Sequence, residues 1–325
     1  MKQLDFDDKV INELYSLRDK YSVDKQSLAG YLEGLRHSDY VKYWEYIKLD
    51  TLLSLQTPRT EIPDEMIFIA YHQITELFFK LVLWEINQIT DNKDSMTETV
   101  FLDKIQRINR YYKNLIKSFE IMTEGMQREQ FLKFRTALSP ASGFQSFQYR
   151  LIEISCTDIQ NLWSPKFKNQ ESVEQISFRK SYQRLYWKEG ATDVSTGQKD
   201  LGLIHFEEKY NEILLKKAQL IQKNNINLVF KKRFMFGPFA PSIKEAMREM
   251  DVLINVQWGL AHFKTAINYL ANGHLKALEA TGGTNWKKYL PPKFQRISFF
   301  PDLWTADEMD NWGRNQIVDM IAQAA

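Results

Sequence analysis

The chain has one cysteine, Cys156, in 325 residues. That excludes an intrachain disulfide framework and any cysteine-rich zinc ribbon, and it suits a reducing compartment. Proline (9) and glycine (13) are also sparse, which leaves few turn signals for an all-β fold. No sign of charge dominates: 43 Lys+Arg face 41 Asp+Glu for a formal +2, so no overall field favours nucleic acid. Long hydrophobic runs are missing as well. The most apolar stretch, Leu77 to Trp84, is interrupted by Lys80 and is far short of the ~20 residues of a membrane span. The first nine residues carry no apolar core of the kind a secretory signal needs. A soluble cytoplasmic protein with no membrane and no nucleic-acid partner is the expectation. GxGxxG, Walker A, HExxH, GxSxG and CxxC patterns are all absent, which removes support for Rossmann hydride transfer and P-loop phosphoryl transfer. What is abundant is flat apolar surface: 8 Trp, 15 Tyr and 21 Phe, or 14% aromatic within 44% hydrophobic residues.

Periodicity points to an all-α fold with a helix-bundle core in one large domain. From about 64 to 90, Ile67, Ile74, Leu77, Leu81 and Trp84 recur at helical steps, behind the start signal Pro63-Asp64, and mark a long, heavily buried helix. Ser95 to Glu98 reads as a capping box opening a helix with Phe101, Ile105, Ile108, Tyr112, Leu115, Phe119 and Met122 on one face, stopped by Gly125. Ser242 to Glu245 reads as another, opening a helix that carries Met247, Met250, Ile254, Trp258 and Ala261 and runs to about 271. Residues 166–202 are polar and punctuated by Gly190, Gly197 and Gly202, an excursion within the domain. Helical spacing returns over 206–230, and the basic triplet Lys231 to Arg233 after it is assigned to a solvated face. Residues 274–304 hold Gly-Gly and Pro-Pro pairs and are expected to be irregular, the kind of segment that often carries function.

Two of five histidines fall on otherwise apolar helices: His72, one turn after Phe68 and one before Glu76, and His262, one turn after Trp258. A helical di-iron site is excluded, because none of the five histidines has a glutamate three residues before it. Taken alone, each is better explained by a core histidine bonded to a neighbour than by a ligand role. Together they are compatible with an iron cofactor that needs one imidazole and a dry, flat slot. Arg135 follows Phe131 by one turn and precedes a Ser/Gly turn. An arginine beside aromatics can clamp a carboxylate while a ring holds an apolar body, or can simply lay its stem on a core aromatic. The run Ala280 to Thr284 could hold a charged group or be an ordinary turn.

Several blocks, in order, resemble the tryptophan 2,3-dioxygenase family: Tyr43 to Pro58, Asp64 to Leu77 with its His72-Gln-Ile-Thr-Glu76 core, Phe134-Arg135, Pro140-Ala-Ser-Gly-Phe-Gln-Ser146, Trp258-Gly-Leu-Ala-His262, and Thr281-Gly-Gly-Thr284 followed by Tyr289-Leu290. The blocks cover about half the chain. The resemblance implies an all-helical homotetramer, a dimer of dimers, with one haem b per subunit that is ferrous in the active state. It further implies insertion of both atoms of O2 across the indole C2–C3 bond of L-tryptophan, giving N-formyl-L-kynurenine, the first step of the kynurenine pathway. By motif, His262 is similar to the proximal iron ligand and Trp258 to its neighbour, with Ser142 and Gly143 beside the cofactor. His72 resembles the distal histidine that meets the indole N–H. Phe68, Phe131 and Leu138 resemble the substrate pocket, Arg135 the grip on the substrate carboxylate, and Thr281 the contact to its ammonium group. Tyr43 and Tyr46 resemble tyrosines lent by a neighbouring subunit, so that a segment of about 1–50 would contact that neighbour.

The chain departs from the family pattern at Ala280, where a glycine is usual, and at Trp286, where another glycine is usual. Two other readings stay open on sequence: a related haem-dependent oxygenase acting on another indole or phenol, and a non-catalytic haem protein. Arg135 and Thr281 speak against both, since neither use would satisfy an amino-acid clamp.

Overall fold

The computed structural model describes residues 6–22, 27–91, 95–141, 143–168, 176–192, 196–270 and 296–314. Among them no β-strand forms; two isolated bridges, Trp163 to Leu185 and Thr192 to Lys199, are the only strand-like pairings. The fold is all-α, as the composition implies. The chain divides into two compact units, residues 1–55 and 56–325. The first holds helices α1 (Asp8–Ser22), α2 (Leu28–His37), α3 (Tyr43–Tyr46) and α4 (Leu49–Leu53), and none of them buries a residue.

The second unit is organised by α5 (Asp64–Asp91). Its first turn carries Asp64 and Glu65, which suit the positive end of the helix dipole. Both also hold neighbouring backbone. Glu65 is fully buried and accepts from the amides of Arg59 and Thr60, each at 2.8 Å, and from the Thr60 hydroxyl at 2.6 Å. Burial opposes its charge, but these donors outweigh it and hold the carboxyl below its usual range. Helix α6 (Glu98–Ser118) lies along α5, and Phe101, Ile105, Ile108, Tyr112 and Leu115 are all fully buried, as the spacing predicts. Its cap differs from the expectation: Thr97, not Ser95, accepts from the Val100 amide, two residues later than the box placed it. The same apolar face continues past a break at Phe119 into α7 (Glu120–Thr123), which ends before Gly125.

Helices α8 (Arg128–Phe134) and α9 (Phe147–Cys156) follow, separated by short 3-10 turns at Arg135–Leu138 and Gly143–Gln145. The polar excursion contains α10 (Pro165–Lys168), α11 (Phe178–Gln183) and α12 (Tyr186–Gly190). It turns part of itself inward, because Tyr182, Leu185 and Trp187 are buried. Its polar residues find long-range partners: the buried Lys188 ammonium donates to Glu207 at 2.6 Å and to Asn211 at 3.0 Å.

Helix α13 (Leu201–Ile221) and α14 (Ile226–Arg233) replace the single expected run over 206–230. The basic triplet is only partly solvated: Arg233 donates to the Met96 carbonyl at 2.9 Å and Lys231 pairs with Asp302. Helix α15 (Ala240–Val252) opens two residues before the box at Ser242, with Pro241 in its first turn. Its first-turn donor is met from a distance: the Phe239 amide donates to Glu98 at 3.0 Å. A Cβ on Gly237 would sit 1.5 Å from a Glu98 carboxylate oxygen, so a side chain there would push that carboxylate off the Phe239 amide. Helix α15 runs through a π turn at Leu253–Gln257 into α16 (Trp258–Leu270), and a short α17 (Ala306–Asp310) closes the described chain. Of residues 274–304, those up to 295 lie outside the described residues, while 297–300 are irregular and buried.

By length and composition α5 could cross a membrane, its best 18-residue window having a mean hydropathy of 1.4; the shorter run Leu77 to Trp84 understated it. Its contacts are those of a core helix, but the face named from its spacing is not the buried one: Tyr71, Phe79, Val82, Ile86 and Ile89 fill the core, whereas Ile74, Leu77, Leu81 and Trp84 are exposed. It packs on α6 and α9, and its buried Glu85 pairs with Lys104 at 3.2 Å and Arg107 at 2.7 Å.

Candidate functional site

A second hydrophobic cluster, joined to the main core through Trp258, contains most of the residues of interest. Tyr71, Phe119, Met122, Met126, Phe131 and Phe134 are buried in it, with Phe68, Leu138 and Trp258 half-buried against them. Its walls come from α5, α7–α8 and α16, and polar ties lock these elements together. The Gln127 amide donates to Asp64 at 2.6 Å and the Asp64 amide to Gln130 at 3.1 Å, joining the starts of α5 and α8. The Tyr269 hydroxyl donates to the carbonyls of Met122 and Met126, the latter at 3.0 Å, joining α16 to the segment before α8. Gln148 donates to the backbone carbonyl and to the carboxylate of Glu76, both at 2.8 Å, holding α9 to α5 one turn beyond His72.

His72 and His262 belong to one wall of rings. His72 lies 6.0 Å from Tyr71, Tyr71 lies 5.7 Å from Phe119, and Phe119 stacks 6.1 Å from His262. His262 is exposed to solvent, yet protein atoms crowd around its ring. It therefore lines a recess rather than projecting from a surface. Burial pushes its pKa down to about 4, with a further push from His72, so both stay neutral near pH 7. His72 Nδ1 lies 2.7 Å from the Phe68 carbonyl. That contact requires Nδ1 to carry the proton, leaving Nε2 with a lone pair. Burial lowers its pKa, offset in part by the Phe68 carbonyl and by Glu76.

Among the described residues no cluster of three or more His, Cys, Asp or Glu could hold a metal ion. A single accessible neutral imidazole in an aromatic recess instead fits a group that brings its remaining ligands with it. Phe68 lies tilted 4.1 Å from His72 and stands 6.2 Å from Phe131; Trp258 lies 4.6 Å from Phe119 and 5.8 Å from Phe79. Arg135 begins the 3-10 turn after Phe134 and is half-buried, with Leu138 at the end of the same turn. The structure thus brings Phe68, His72, Phe131, Leu138, Trp258 and His262 into one cluster, with Arg135 at the end of α8 beside it. Gly143 starts the next turn, and a Cβ there would meet no atom within 4 Å. Tyr43 and Tyr46 belong to the N-terminal unit, where they are 70% and 77% exposed. Ser142, Thr281, Ala280 and Trp286 lie outside the described residues.

Sequence reasoning missed Gln148, Asp64 and Tyr269, which hold these walls, because their partners lie 63 to 147 residues away. It also missed Arg150, whose guanidinium donates to the Phe144 carbonyl at 3.3 Å beneath the Gly143–Gln145 turn.

An all-helical chain that faces an aromatic recess with two neutral histidines, one of them accessible, has the furniture of a cofactor-dependent enzyme for a flat substrate. The sequence profile of the tryptophan 2,3-dioxygenase family matches residues 33–229. The chain is 37% identical over 302 residues to a tryptophan 2,3-dioxygenase of Bacillus anthracis, covering 82% of this chain and 93% of that one. It is 28% identical over 274 residues to the enzyme of that name from Herpetosiphon aurantiacus, covering 82% and 97%. With that of Xenopus laevis it shares 36% over 151 residues, covering 42% and 36%. The chain belongs to the tryptophan 2,3-dioxygenase family.

Proposed function

We infer that the protein is a haem-dependent dioxygenase that adds O2 across the indole C2–C3 bond of L-tryptophan to give N-formyl-L-kynurenine, the entry reaction of the kynurenine pathway. The observation that carries this reading is the pair of neutral histidines, His72 and His262, in one aromatic cluster with Arg135 beside it. Both oxygen atoms end in the product, so the reaction needs no external reductant. His262 would hold the iron of haem b, with Trp258 beside it and Ser142 and Gly143 at the cofactor's edge. When bound, the haem supplies the O2-activating chemistry.

The chain's own residues do the rest. Phe68, Phe131 and Leu138 enclose the indole and exclude water, which strengthens every polar contact inside. His72, its Nδ1 proton engaged by the Phe68 carbonyl, presents Nε2 to accept the indole N–H. Arg135 pairs with the substrate carboxylate and Thr281 meets the ammonium group. Tyr43 and Tyr46 complete the site of a neighbouring subunit in a homotetramer. Two observations support an assembly: α1 to α4 bury nothing within the subunit, and α5 exposes Ile74, Leu77, Leu81 and Trp84 at helical spacing along its outer face. The single reduced cysteine suits the cytoplasm.

The test is an absorbance time course on purified, haem-loaded, reduced protein in air. N-formylkynurenine should form from L-tryptophan and nothing should form from indole. A bound-haem spectrum without that product would overturn the reading. In the same assay Arg135→Ala should raise KM for L-tryptophan about ten- to hundredfold, the worth of a charge-assisted pair, while haem stays bound. An unchanged KM would remove the carboxylate clamp.

His72→Ala should keep its haem and lose only part of kcat. The wild-type profile should fall on the acid side, below pH 6.5: as pH drops through the lowered His72 pKa, Nε2 gains a proton and can no longer accept the indole N–H. That limb should be missing from the alanine variant. Its persistence there would assign it to another group.

A further inference from the structure

Asp251 is fully buried at the end of α15, and five donors converge on its carboxylate: Asn255 Nδ2 at 2.7 Å, Ser298 Oγ at 2.6 Å, the Phe299 amide at 2.8 Å, the Phe300 amide at 3.2 Å and Trp304 Nε1 at 2.9 Å. Five donors call for an acceptor there, and they favour the ionised carboxylate against the burial that raises its pKa. One of the five donors, Asn255, lies inside the π turn at Leu253–Gln257, and the other four lie on the segment 298–304. The carboxylate therefore rivets that segment onto the turn. Arg248, one turn earlier, adds a second fastening: it donates to the Leu303 carbonyl and to Glu308, both at 2.5 Å, and stacks 3.9 Å over Trp304. Trp304 in turn meets Trp312, which packs with Val256 and Leu260 on the outer side of the same helix.

The π turn matters because everything after it inherits its winding. An α-helix advances about 100° per residue, and a five-residue π turn is underwound by roughly one such step. If the turn relaxed to α spacing, α16 would present each of its residues rotated by about that angle. His262 begins the second turn of α16 and is the residue most affected at the recess. We propose that Asp251 is a positioning residue for His262: by bonding Asn255 within the π turn and pinning 298–304 over it, the carboxylate holds the winding that aims the imidazole into the recess. The inference rests on His262 as the haem ligand.

The experiment uses the full chain loaded with haem b. Asp251→Asn keeps the side chain's size but offers an amide N–H to a ring of donors, and Asn255→Ala removes only the bond inside the π turn. Each is measured for helicity by circular dichroism, for the iron–imidazole stretching band of the ferrous protein by resonance Raman, for haem loss to excess apomyoglobin, and for kcat and KM. Asp251→Asn should keep its helicity, shift the iron–imidazole band, lose haem about tenfold or more faster, the usual cost of removing a group behind a metal ligand, and lower kcat with KM unchanged. Asn255→Ala should move the same quantities the same way by less. A folded Asp251→Asn variant with wild-type band and haem loss overturns the proposal. If that variant does not fold, Asn255→Ala decides, and wild-type values there overturn it equally. Faster haem loss with an unshifted band would mark a purely structural role and also overturns it. A wild-type protein that takes up no haem, or a His262→Ala protein that keeps the wild-type band, would instead bring down the haem reading, and this inference with it.

Discussion

His262→Ala is expected to give a folded helical protein that retains less than about a tenth of the haem held by wild type after gel filtration. Removing a group that merely supports a metal ligand already costs ten- to a hundredfold in affinity, so removing the ligand itself must cost at least as much. The fold should tolerate the change. His262 is solvent-accessible and its ring contact is the stacked Phe119 at 6.1 Å, whereas Leu260, Thr265 and Tyr269 supply the buried side of α16. Exogenous imidazole should restore part of the haem binding, since the truncation leaves the recess intact. His72→Ala is the control, because the same wall of rings reaches it while the proposed reading places it on the substrate side. Equal haem loss in both variants would show that the two histidines have been assigned the wrong way round or that neither ligates.

How much of this was legible before the structure follows from what each feature depends on. The apolar face of α6 and the length of α5 are local properties of 3.6-residue spacing, and every residue named on α6 is buried. Cap positions differ from the expectation because a serine followed three residues later by glutamate is neither necessary nor sufficient for a cap: Thr97 caps α6, and α15 starts before Ser242. At Phe239 the cap is supplied by Glu98, 141 residues earlier, which no local window contains. The excursion over 166–202 reads as polar and loop-rich, yet its Lys188 and Lys199 both donate to Glu207 on α13, at 2.6 and 2.5 Å, and so Trp187 can lie inward. The π turn was invisible: Met250, Ile254 and Trp258 keep a four-residue step, which a plain α-helix and a helix with one wide turn share over so short a run. The site residues were legible as pieces, histidines on apolar faces and an arginine after phenylalanines. Their convergence was not, since it depends on Asp64, Gln148 and Tyr269 tying three helices together.

Glu153→Gln is expected to destabilise the folded protein by about 3 to 5 kcal/mol, the cost of breaking a buried ion pair from one side. Glu153 and Arg150 are 0% and 6% exposed, one turn apart on α9, and pair at 2.8 Å. Arg150 lies under four aromatic rings, with its guanidinium 5.2 Å from Tyr149, 5.3 Å from Trp187, 5.7 Å from Phe144 and 5.9 Å from Tyr186. Burial alone would weaken its hold on a proton, but Glu153 and Tyr186 reverse that and keep it more firmly charged than an ordinary arginine. The Tyr186 hydroxyl donates to the other Glu153 oxygen. Replacing that carboxylate by an amide leaves a caged cation with no counter-charge and sets an N–H donor against one of its two donor partners, Arg150 and Tyr186, so the penalty comes from stranded groups rather than from lost attraction. Arg150→Met should cost a comparable amount by stranding Glu153. The double variant should recover part of the loss, because an uncharged pair of similar volume strands nothing. Urea unfolding monitored by tryptophan fluorescence measures all three. A Glu153→Gln protein within about 1 kcal/mol of wild type, or a double variant as unstable as the two singles summed, would show that water or another donor already screens the pair.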